Sequence, residues 1–252
     1  MLSKRHEEIV RLLETSGSQT ISALAEALDV SLETIRRDVK PLEESGLLVR
    51  THGAVGLAGQ LGEAPFQRRM RENAEAKRAI ARAVAATIRD GEAVMLDTGT
   101  TTSFLARELV RHRRLTIITN SSDIARTLAT QNGNRVYMAG GELRPDNGAA
   151  FGKSALDFVA QFTVEHAVIS AGAVDVSGIM DFDLDEAEFA RMVLSRGNHR
   201  IVVTDASKFG RRGLISVCPF GDVTHLFTNA APPDDIGSAL TAAGTGLAVV
   251  GT

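Results

Sequence analysis

The stretch "SLETIRRDVKPLEESGLLVRTHG", residues 31–53, decides the fold of the first part of this chain. It opens on Ser31, a favoured helix N-cap, and Gly46 is a typical helix stop. Between them the apolar side chains recur at the spacing of one buried helical stripe: Ile35, Val39 and Leu42. Arg36 and Arg37 fall off that stripe. The pattern therefore predicts an amphipathic helix with two adjacent arginines facing solvent or a partner.

Two shorter helical patterns precede this helix, and a hairpin follows it. "HEEIVRLLETSG" ends at Gly17, and "TISALAEALDV" has Thr20 as a plausible N-cap. "LLVR" and "VGL" read as two strands that turn at His52-Gly53. This order predicts a winged helix-turn-helix domain over residues 1–57, with the helix-turn-helix motif near residues 20–39.

In a helix-turn-helix motif the second helix enters the major groove of DNA. Arginine binds guanine or phosphate there, and hydroxyl groups at the start of the helix can meet phosphates. A solvated helix face with Arg36 paired to Glu33 would explain the arginines alone, but the neighbouring helices and wing favour DNA binding. The predicted DNA-binding residues are Ser31, Thr34, Arg36, Arg37, Lys40, Arg50 and His52.

Bulk composition neither supports nor opposes this interpretation. The net charge of the 252-residue chain is −3, and its first 60 residues hold seven Lys or Arg against nine Asp or Glu. A nucleic-acid argument must therefore rest on where the basic side chains point. One cysteine allows no intramolecular disulfide, and the sequence contains no zinc-ligand spacing or membrane-spanning run. We expect no signal peptide, because Met1–Arg5 leads into charged residues. We expect a cytoplasmic protein without metal or cofactor.

Beyond residue 57 the chain changes character. Residues 58–73 contain Gly, Pro and charged residues, and their apolar residues follow neither a helical nor a strand period, which predicts a linker. Residues 74–252 then alternate short β-rich runs with helical segments. This alternation predicts a mostly parallel sheet covered by helices on both faces, and thus an α/β domain.

Several predicted strands of this domain end in glycine or polar residues, and ligands of open parallel sheets bind at the carboxyl ends of strands. "DTGTTT" combines a turn glycine, hydroxyl groups and a helix start, which suits a phosphate. A plain strand–turn–helix with a threonine cap, and a solvated lysine later in "DASKFG", are the simpler explanations. The predicted effector-binding residues are Asp97, Thr98, Gly99, Thr100, Thr101, Thr102, Asn120, Gly140, Gly141, Asp175 and Lys208.

The motifs resemble those of a known family. "VSLETIRRDVKPLEESGLLVRTHGAV" resembles the N-terminal domain of the DeoR family of bacterial transcriptional regulators. "LDTGTTT", "AGGELR" and "DASKFG" resemble its effector-binding motifs. Three departures stand out: Gly53-Ala54 replaces the usual Gly-Gly-Ala of the wing, Pro41 should kink the helix, and "GIMDFD" differs from the family pattern.

The resemblance implies a second domain like ribose-5-phosphate isomerase and a repressor of a carbohydrate or glycerol catabolic operon that a phosphorylated small molecule releases. "ALDFVAQF", "SKFGRRGLI" and "TNAAPP" resemble the glycerol-3-phosphate regulon repressors of the family, which favours glycerol 3-phosphate as effector. Because one winged helix reads few base pairs, a homo-oligomer is expected. The alternatives are an activator of the same family, or an isomerase-like enzyme using Asp97, Asp175, Glu186 and Lys208.

Overall fold

The computed structural model describes residues 3–16, 19–51, 54–57 and 63–251. The predicted helix stop at Gly17 and the wing turn at His52-Gly53 lie outside the described residues. The chain forms two compact units, residues 1–68 and residues 69–252, here called the N-terminal and the C-terminal unit.

The N-terminal unit is a helix-turn-helix with a small antiparallel sheet. Its helices are α1 (Lys4–Ser16), α2 (Ile21–Ala27) and α3 (Leu32–Glu44). Its strands are β1 (Gln19–Thr20), β2 (Leu48–Thr51) and β3 (Ala54–Leu57), in the order β1-β3-β2. The predicted winged helix-turn-helix is thereby confirmed.

Local sequence signals explain the ends of these helices. The Thr20 hydroxyl accepts a hydrogen bond from Ala23 N and caps α2. At the end of α3, Gly46 has φ +68° and donates to Glu43 O, while Leu47 N donates to Leu42 O. This pair of bonds is the Schellman motif, which places glycine in the left-handed conformation after the helix.

The buried stripe of α3 is also as predicted. Ile35, Val39 and Leu42 are almost fully buried and pack with Ile9 and Leu13 of α1. α3 continues as one helix through Pro41, and Ser45 N donates to Pro41 O at its end. The kink at Pro41 stays a prediction.

Part of the segment predicted as a linker is helical. A single turn, α4, spans Phe66–Arg69, and Phe66 is buried. The Arg68 guanidinium donates to the carbonyl oxygen of Ser45, just beyond α3. Four residues are too few to show a helical period, so periodicity alone could not reveal this turn.

The C-terminal unit is built on a seven-stranded sheet in which every pairing is parallel. Its strands are β4 (Ala93–Leu96), β5 (Thr116–Thr119), β6 (Arg135–Met138), β7 (Val164–Ser170), β10 (Gly197–Val203), β12 (His225–Thr228) and β13 (Gly246–Val249). The helices are α5 (Ala74–Ala85), α6 (Thr100–Leu109), α7 (Ser122–Leu128), α8 (Lys153–Val159), α9 (Leu184–Ser195) and α10 (Asp234–Ala242). Two 3-10 turns, Ala206–Lys208 and Phe220–Asp222, complete it.

Both faces of the sheet are buried, as the sequence predicted. Along β4, Met95 enters the apolar cluster on one face, and Val94 and Leu96 enter the cluster on the other. All three are fully buried. This alternation confirms the predicted α/β fold, because each face of a parallel sheet is covered by the crossover helices.

The strand order, β13-β12-β10-β7-β4-β5-β6, reverses its direction between β4 and β7. From β4 the chain proceeds to β5 and β6 on one side, and from β7 it proceeds to β10, β12 and β13 on the other. Open parallel sheets bind ligands outside the carboxyl ends of the strands at such a reversal. The chain path itself therefore marks the gap between β4 and β7.

A second sheet was not predicted from the sequence. Strands β8 (Ala173–Asp175), β9 (Gly178–Asp181) and β11 (Ile215–Cys218) form an antiparallel sheet in the order β11-β9-β8. The strands are three or four residues long, too short for a clear alternation. Asp175 thus ends a strand of this small sheet and not of the parallel sheet.

Candidate functional site

One candidate site is the solvent face of α3. The hydroxyl of Ser31 caps this helix by accepting from Thr34 N at 3.2 Å and lies 2.8 Å from the Thr34 hydroxyl. Arg36, Arg37 and Lys40 are exposed. The Ser31 hydroxyl therefore has a structural task, while the three basic side chains project from the helix.

These basic side chains are weakly held. Arg36 Nη1 lies 3.7 Å from Glu33 Oε2, and Lys40 Nζ lies 4.0 Å from Glu44 Oε1. Exposed ion pairs of this kind contribute little to stability. The guanidinium of Arg36 and the ammonium of Lys40 can therefore exchange these partners for a phosphate or a base edge.

Arg50 has a firmer partner. Its Nε donates to Glu43 Oε1 at 3.0 Å, which ties β2 to the end of α3. His52, predicted to contact DNA from the wing, lies outside the described residues. Sequence reasoning missed Leu32, an apolar side chain that is 46% exposed in the first turn of α3. An exposed apolar group at the start of such a helix can contact a thymine methyl group.

The side of α3 that faces α1 carries a buried acid. Asp38 is 7% exposed, and its carboxylate accepts hydrogen bonds from the Arg5 guanidinium, including one of 3.1 Å between Arg5 Nη2 and Asp38 Oδ1. These hydrogen bonds lower the pKa of Asp38 despite its burial. Asp38 thus orients the helix that carries Arg36 and Arg37.

The second candidate site is the gap between β4 and β7. Asp97 follows β4, and its Oδ2 accepts a hydrogen bond of 3.0 Å from the backbone N of Ser170 at the end of β7. Gly99 packs so closely that a Cβ there would lie 1.9 Å from Ser170 Oγ. Asp97–Thr102, Asn120 and Ser170 define what we call the switch-point crevice. Ser170 was missed because serine at a strand end has no distinguishing pattern.

Three buried polar atoms in the switch-point crevice have no hydrogen-bond partner in the described part of the chain: Asp97 Oδ1, Thr98 Oγ1 and Asn120 Oδ1. Asn120 is fully buried, and its Nδ2 donates to Ala150 O at 2.9 Å, so its Oδ1 is left to accept. Buried polar groups without partners are costly. Their convergence from two adjacent strand ends therefore indicates a place for a ligand with hydroxyl groups.

The start of α6 forms the other part of the switch-point crevice. Its N-cap is Gly99, so no side chain caps the helix, and its first intrahelical bond runs from Ser103 N to Gly99 O. The backbone N–H groups of the residues before Ser103 have no hydrogen-bond acceptor within the helix. Because they point out of the helix start, they can bind an anion. Thr102 Oγ1 donates to Asp97 O and Gly99 O, so this hydroxyl is already used. In the part of the chain that the structure describes, the hydroxyls of Thr100 and Thr101 make no such bond.

Burial raises the pKa of Asp97 well above its ordinary value. The hydrogen bond from Ser170 N acts in the opposite direction, while the negative charges of Glu186 and Asp181 raise the pKa further. A neutral Asp97 can both accept from Ser170 and donate its own proton to a ligand oxygen, without repelling an anion at the start of α6.

A loop joined to α9 lies near these acids and was missed by sequence reasoning. Arg144 forms ion pairs with three carboxylates at the start of α9, and its guanidinium stacks on the Phe151 ring at 4.2 Å. The three acids are Asp183, Asp185 and Glu186. Asn147 Nδ2 also donates to Glu186 Oε1 at 3.0 Å. The Arg of "AGGELR" could have been identified by its charge, but its partners lie about forty residues away in sequence.

The remaining predicted effector residues are spread along the sheet. Gly140 and Gly141 follow β6, the edge strand, two positions from β4. Lys208 ends the 3-10 turn after β10, two positions from β4 on the other side. Asp175 Oδ1 accepts from Ser177 N at 2.7 Å in the turn between β8 and β9. The roles of these four residues in effector binding stay predictions.

The described residues offer neither a metal cluster nor a membrane-spanning helix. Within residues 3–16, 19–51, 54–57 and 63–251, no group of three or more His, Cys, Asp or Glu side chains could hold a metal ion. Among the helices of these same residues, none is long and apolar enough to cross a membrane.

An exposed basic helix in a winged helix-turn-helix, joined in one chain to a parallel sheet with a polar crevice, defines a DNA-binding regulator with a sensor domain. Two family models match the chain: the DeoR-like helix-turn-helix domain over residues 5–60, and the DeoR C terminal sensor domain over residues 72–230. The chain therefore belongs to the DeoR family of transcriptional regulators. This membership confirms the prediction of a regulator and not an enzyme.

Relatives match almost the whole chain. The HTH-type transcriptional repressor CsqR of Escherichia coli K12 is 37% identical over 94% of this chain and 91% of its own length. The glycerol-3-phosphate regulon repressor of the same organism is 34% identical over 95% of both chains. The chain is accordingly a DeoR-type transcriptional repressor.

Among solved structures, ribose 5 phosphate isomerase A from Neisseria gonorrhoeae is similar in part. It is 16% identical, the match covers 54% of this chain and 53% of the isomerase, and the TM-score is 0.39.

Proposed function

We propose that this repressor binds an operator of a carbohydrate or glycerol catabolic operon through α3 and is released by a phosphorylated polyol or sugar. Glycerol 3-phosphate is the first candidate. In this proposal the phosphate sits at the start of α6 and the hydroxyl groups meet Asp97 and Asn120. Lys208 supplies a compensating positive charge.

The observation that carries the proposal is that the switch-point crevice combines a helix start suited to an anion with unpartnered polar atoms suited to hydroxyl groups. The uncapped start of α6 favours an anion. The unpartnered Asn120 Oδ1 favours a hydroxyl donor close by, and the unpartnered Asp97 Oδ1, which carries the proton of a neutral Asp97, favours a hydroxyl oxygen as acceptor. A phosphate ester of a polyol offers both groups in one small molecule. The name of the relative that represses the glycerol-3-phosphate regulon makes this ester the first to test.

A ligand releases the protein from DNA only if it binds the DNA-incompetent state more tightly. The test is a fluorescence-anisotropy titration of the complex with an operator selected from genomic fragments. Glycerol 3-phosphate, ribose 5-phosphate, glycerol and inorganic phosphate are the titrants. We expect one or more esters to release the operator, and glycerol and phosphate to leave it bound. Release by glycerol alone, or by none of the esters tested, would contradict the proposed effector class.

We also propose that the protein acts in the cytoplasm as a homo-oligomer, because two half-sites are needed for a useful specificity ratio. Sedimentation at micromolar protein concentration, with and without operator, tests the assembly, and a monomer in both conditions would exclude it. The proposed boundaries are 1–57 for the DNA-binding domain, 58–73 for the linker and 74–252 for the effector-binding domain.

A further inference from the structure

A second cavity in the C-terminal unit lies away from the switch-point crevice. Its volume is about 320 Å³, and it is bounded by α9, β10 and β11. Arg200 lines it from the middle of β10, whereas the crevice lies beyond the carboxyl ends of the strands. From Arg200 to Asp205, after the end of β10, an extended chain covers roughly 16 Å at about 3.3 Å per residue. The cavity and the crevice are therefore separate places.

Two guanidinium groups give this cavity a positive character. The Arg200 side chain is half-buried, and within the described residues its guanidinium has no hydrogen-bond or ion-pair partner. Arg191 is held in place by backbone carbonyls, with Nη2 donating to Ser216 O at 2.7 Å and Nε to Val217 O at 3.2 Å. Because carbonyl oxygens are neutral, they orient the guanidinium of Arg191 without cancelling its charge.

One acid and an apolar wall complete the cavity. Asp222 supplies a carboxylate, so the two arginines and this acid together carry a net charge of +1. Leu194, Val217 and Cys218 are buried hydrophobic residues of the wall. Burial raises the pKa of Cys218 to about 12, so the thiol is neutral at physiological pH. The cavity thus combines a single positive excess with an apolar lining.

We propose that this cavity is a second ligand site, which binds a small monocarboxylate with a short apolar body. A planar carboxylate matches the fork of donors on Arg200, and the apolar body would lie on Leu194 and Val217. A dianion fits less well, because Asp222 lies in the same cavity. The volume is in the range of small-molecule sites.

Calorimetric titration of the full-length protein with pentanoate tests the site, with pentanamide as the uncharged control. We expect binding of pentanoate but not of pentanamide to wild type, and loss of binding in Arg200→Gln. Arg135→Gln removes the same charge from an exposed position on β6 and should bind like wild type. Thr101→Val should also bind pentanoate normally, because it alters only the switch-point crevice. Absence of pentanoate binding to wild type, or equal affinity in Arg200→Gln, would overturn the proposal.

Discussion

The guanidinium of Arg5 in α1 and the carboxylate of Asp38 in α3 are joined by two hydrogen bonds, which makes Asp38 the polar anchor of the helix that carries the arginine pair. Asp38 immediately follows Arg37 in sequence but points to the opposite side, toward α1. The motif "IRRD" therefore divides its charges: the arginines face outward and the acid fixes the helix that presents them.

We expect Asp38→Asn to destabilise the N-terminal unit, because it leaves the Arg5 guanidinium without its charged partner. The melting temperature of that unit should fall, by about 4–8 °C for each 1 kcal/mol of stability lost in a domain of 60–100 residues. Calorimetry gives the shift, and hydrogen exchange of the α3 amides locates it. Glu44→Gln removes an exposed charge from the same helix and should change little.

The same pair predicts a pH dependence. The pKa of Asp38 is lowered in the folded state, so the pair stabilises the fold above the ordinary carboxyl pKa, and this contribution is lost as the pH falls through the lowered value. The difference in melting temperature between wild type and Asp38→Asn should thus be largest near neutral pH and vanish in acid. A difference that does not change with pH would exclude this role for the pair.

Arg36→Ala and Arg37→Ala should each weaken operator binding by roughly 1–3 kcal/mol, the value of one base contact. Neither side chain is buried, so the melting temperature should stay unchanged. Anisotropy titrations with operator measure the loss, and Arg113→Ala in the C-terminal unit, an equal change of charge, serves as control. If both single variants footprint the operator like wild type, α3 does not enter the groove as proposed.

Thr101→Val and Lys208→Ala should give repressors that resist release. Thr101→Val keeps the volume and removes one donor at the start of α6, which leaves a phosphate oxygen poorly paired at a cost of about 1–3 kcal/mol. Lys208→Ala removes a positive charge. Both variants should bind operator normally without effector, and the midpoint for the releasing ester should rise. Equal midpoints in wild type and both variants would place the phosphate elsewhere.

Asp97→Asn should stabilise the C-terminal unit at high pH more than at low pH. Because burial raises the folded pKa of Asp97, the folded state loses stability relative to the unfolded state as the pH rises from the unfolded pKa toward the folded one. Asparagine has the same shape and does not titrate. The stability difference should grow by about 1.4 kcal/mol for each pH unit between the two pKa values. Urea unfolding at pH 4.5 and at pH 8 measures it, and a constant difference would show that Asp97 is ionised in the fold.

The sequence predicted the elements with long, regular patterns. The stripe of Ile35, Val39 and Leu42 and the caps at Thr20 and Ser31 defined the helix-turn-helix, because the buried stripe and both caps depend only on nearby residues. The alternation of β-rich runs and helices that gives the parallel sheet was predicted for the same reason, since each strand is an apolar run bounded by turn residues.

The partners of the polar side chains could not be predicted in this way. Asp38 looked like one more acid on a charged helix until the structure brought Arg5 beside it. Asp97 meets Ser170 only because β4 and β7, distant in sequence, are neighbours in the sheet, and Arg144 meets the start of α9 across about forty residues of sequence. Such contacts depend on how the chain folds over long distances in sequence, and a short stretch of sequence does not reveal which distant segment will lie beside it.

The reversal of strand order between β4 and β7 also bears on how new regulators of this kind can arise. The gap at the reversal is formed by the backbone, because the crossovers after β4 and after β7 leave the sheet in opposite directions. The side chains at the strand ends only line this gap. Substitutions at the strand ends can therefore exchange one set of ligand contacts for another while the sheet and its buried faces stay as they are. Under the proposed function, a change of effector would thus need only a few substitutions, because the gap itself depends on strand connectivity and not on those side chains.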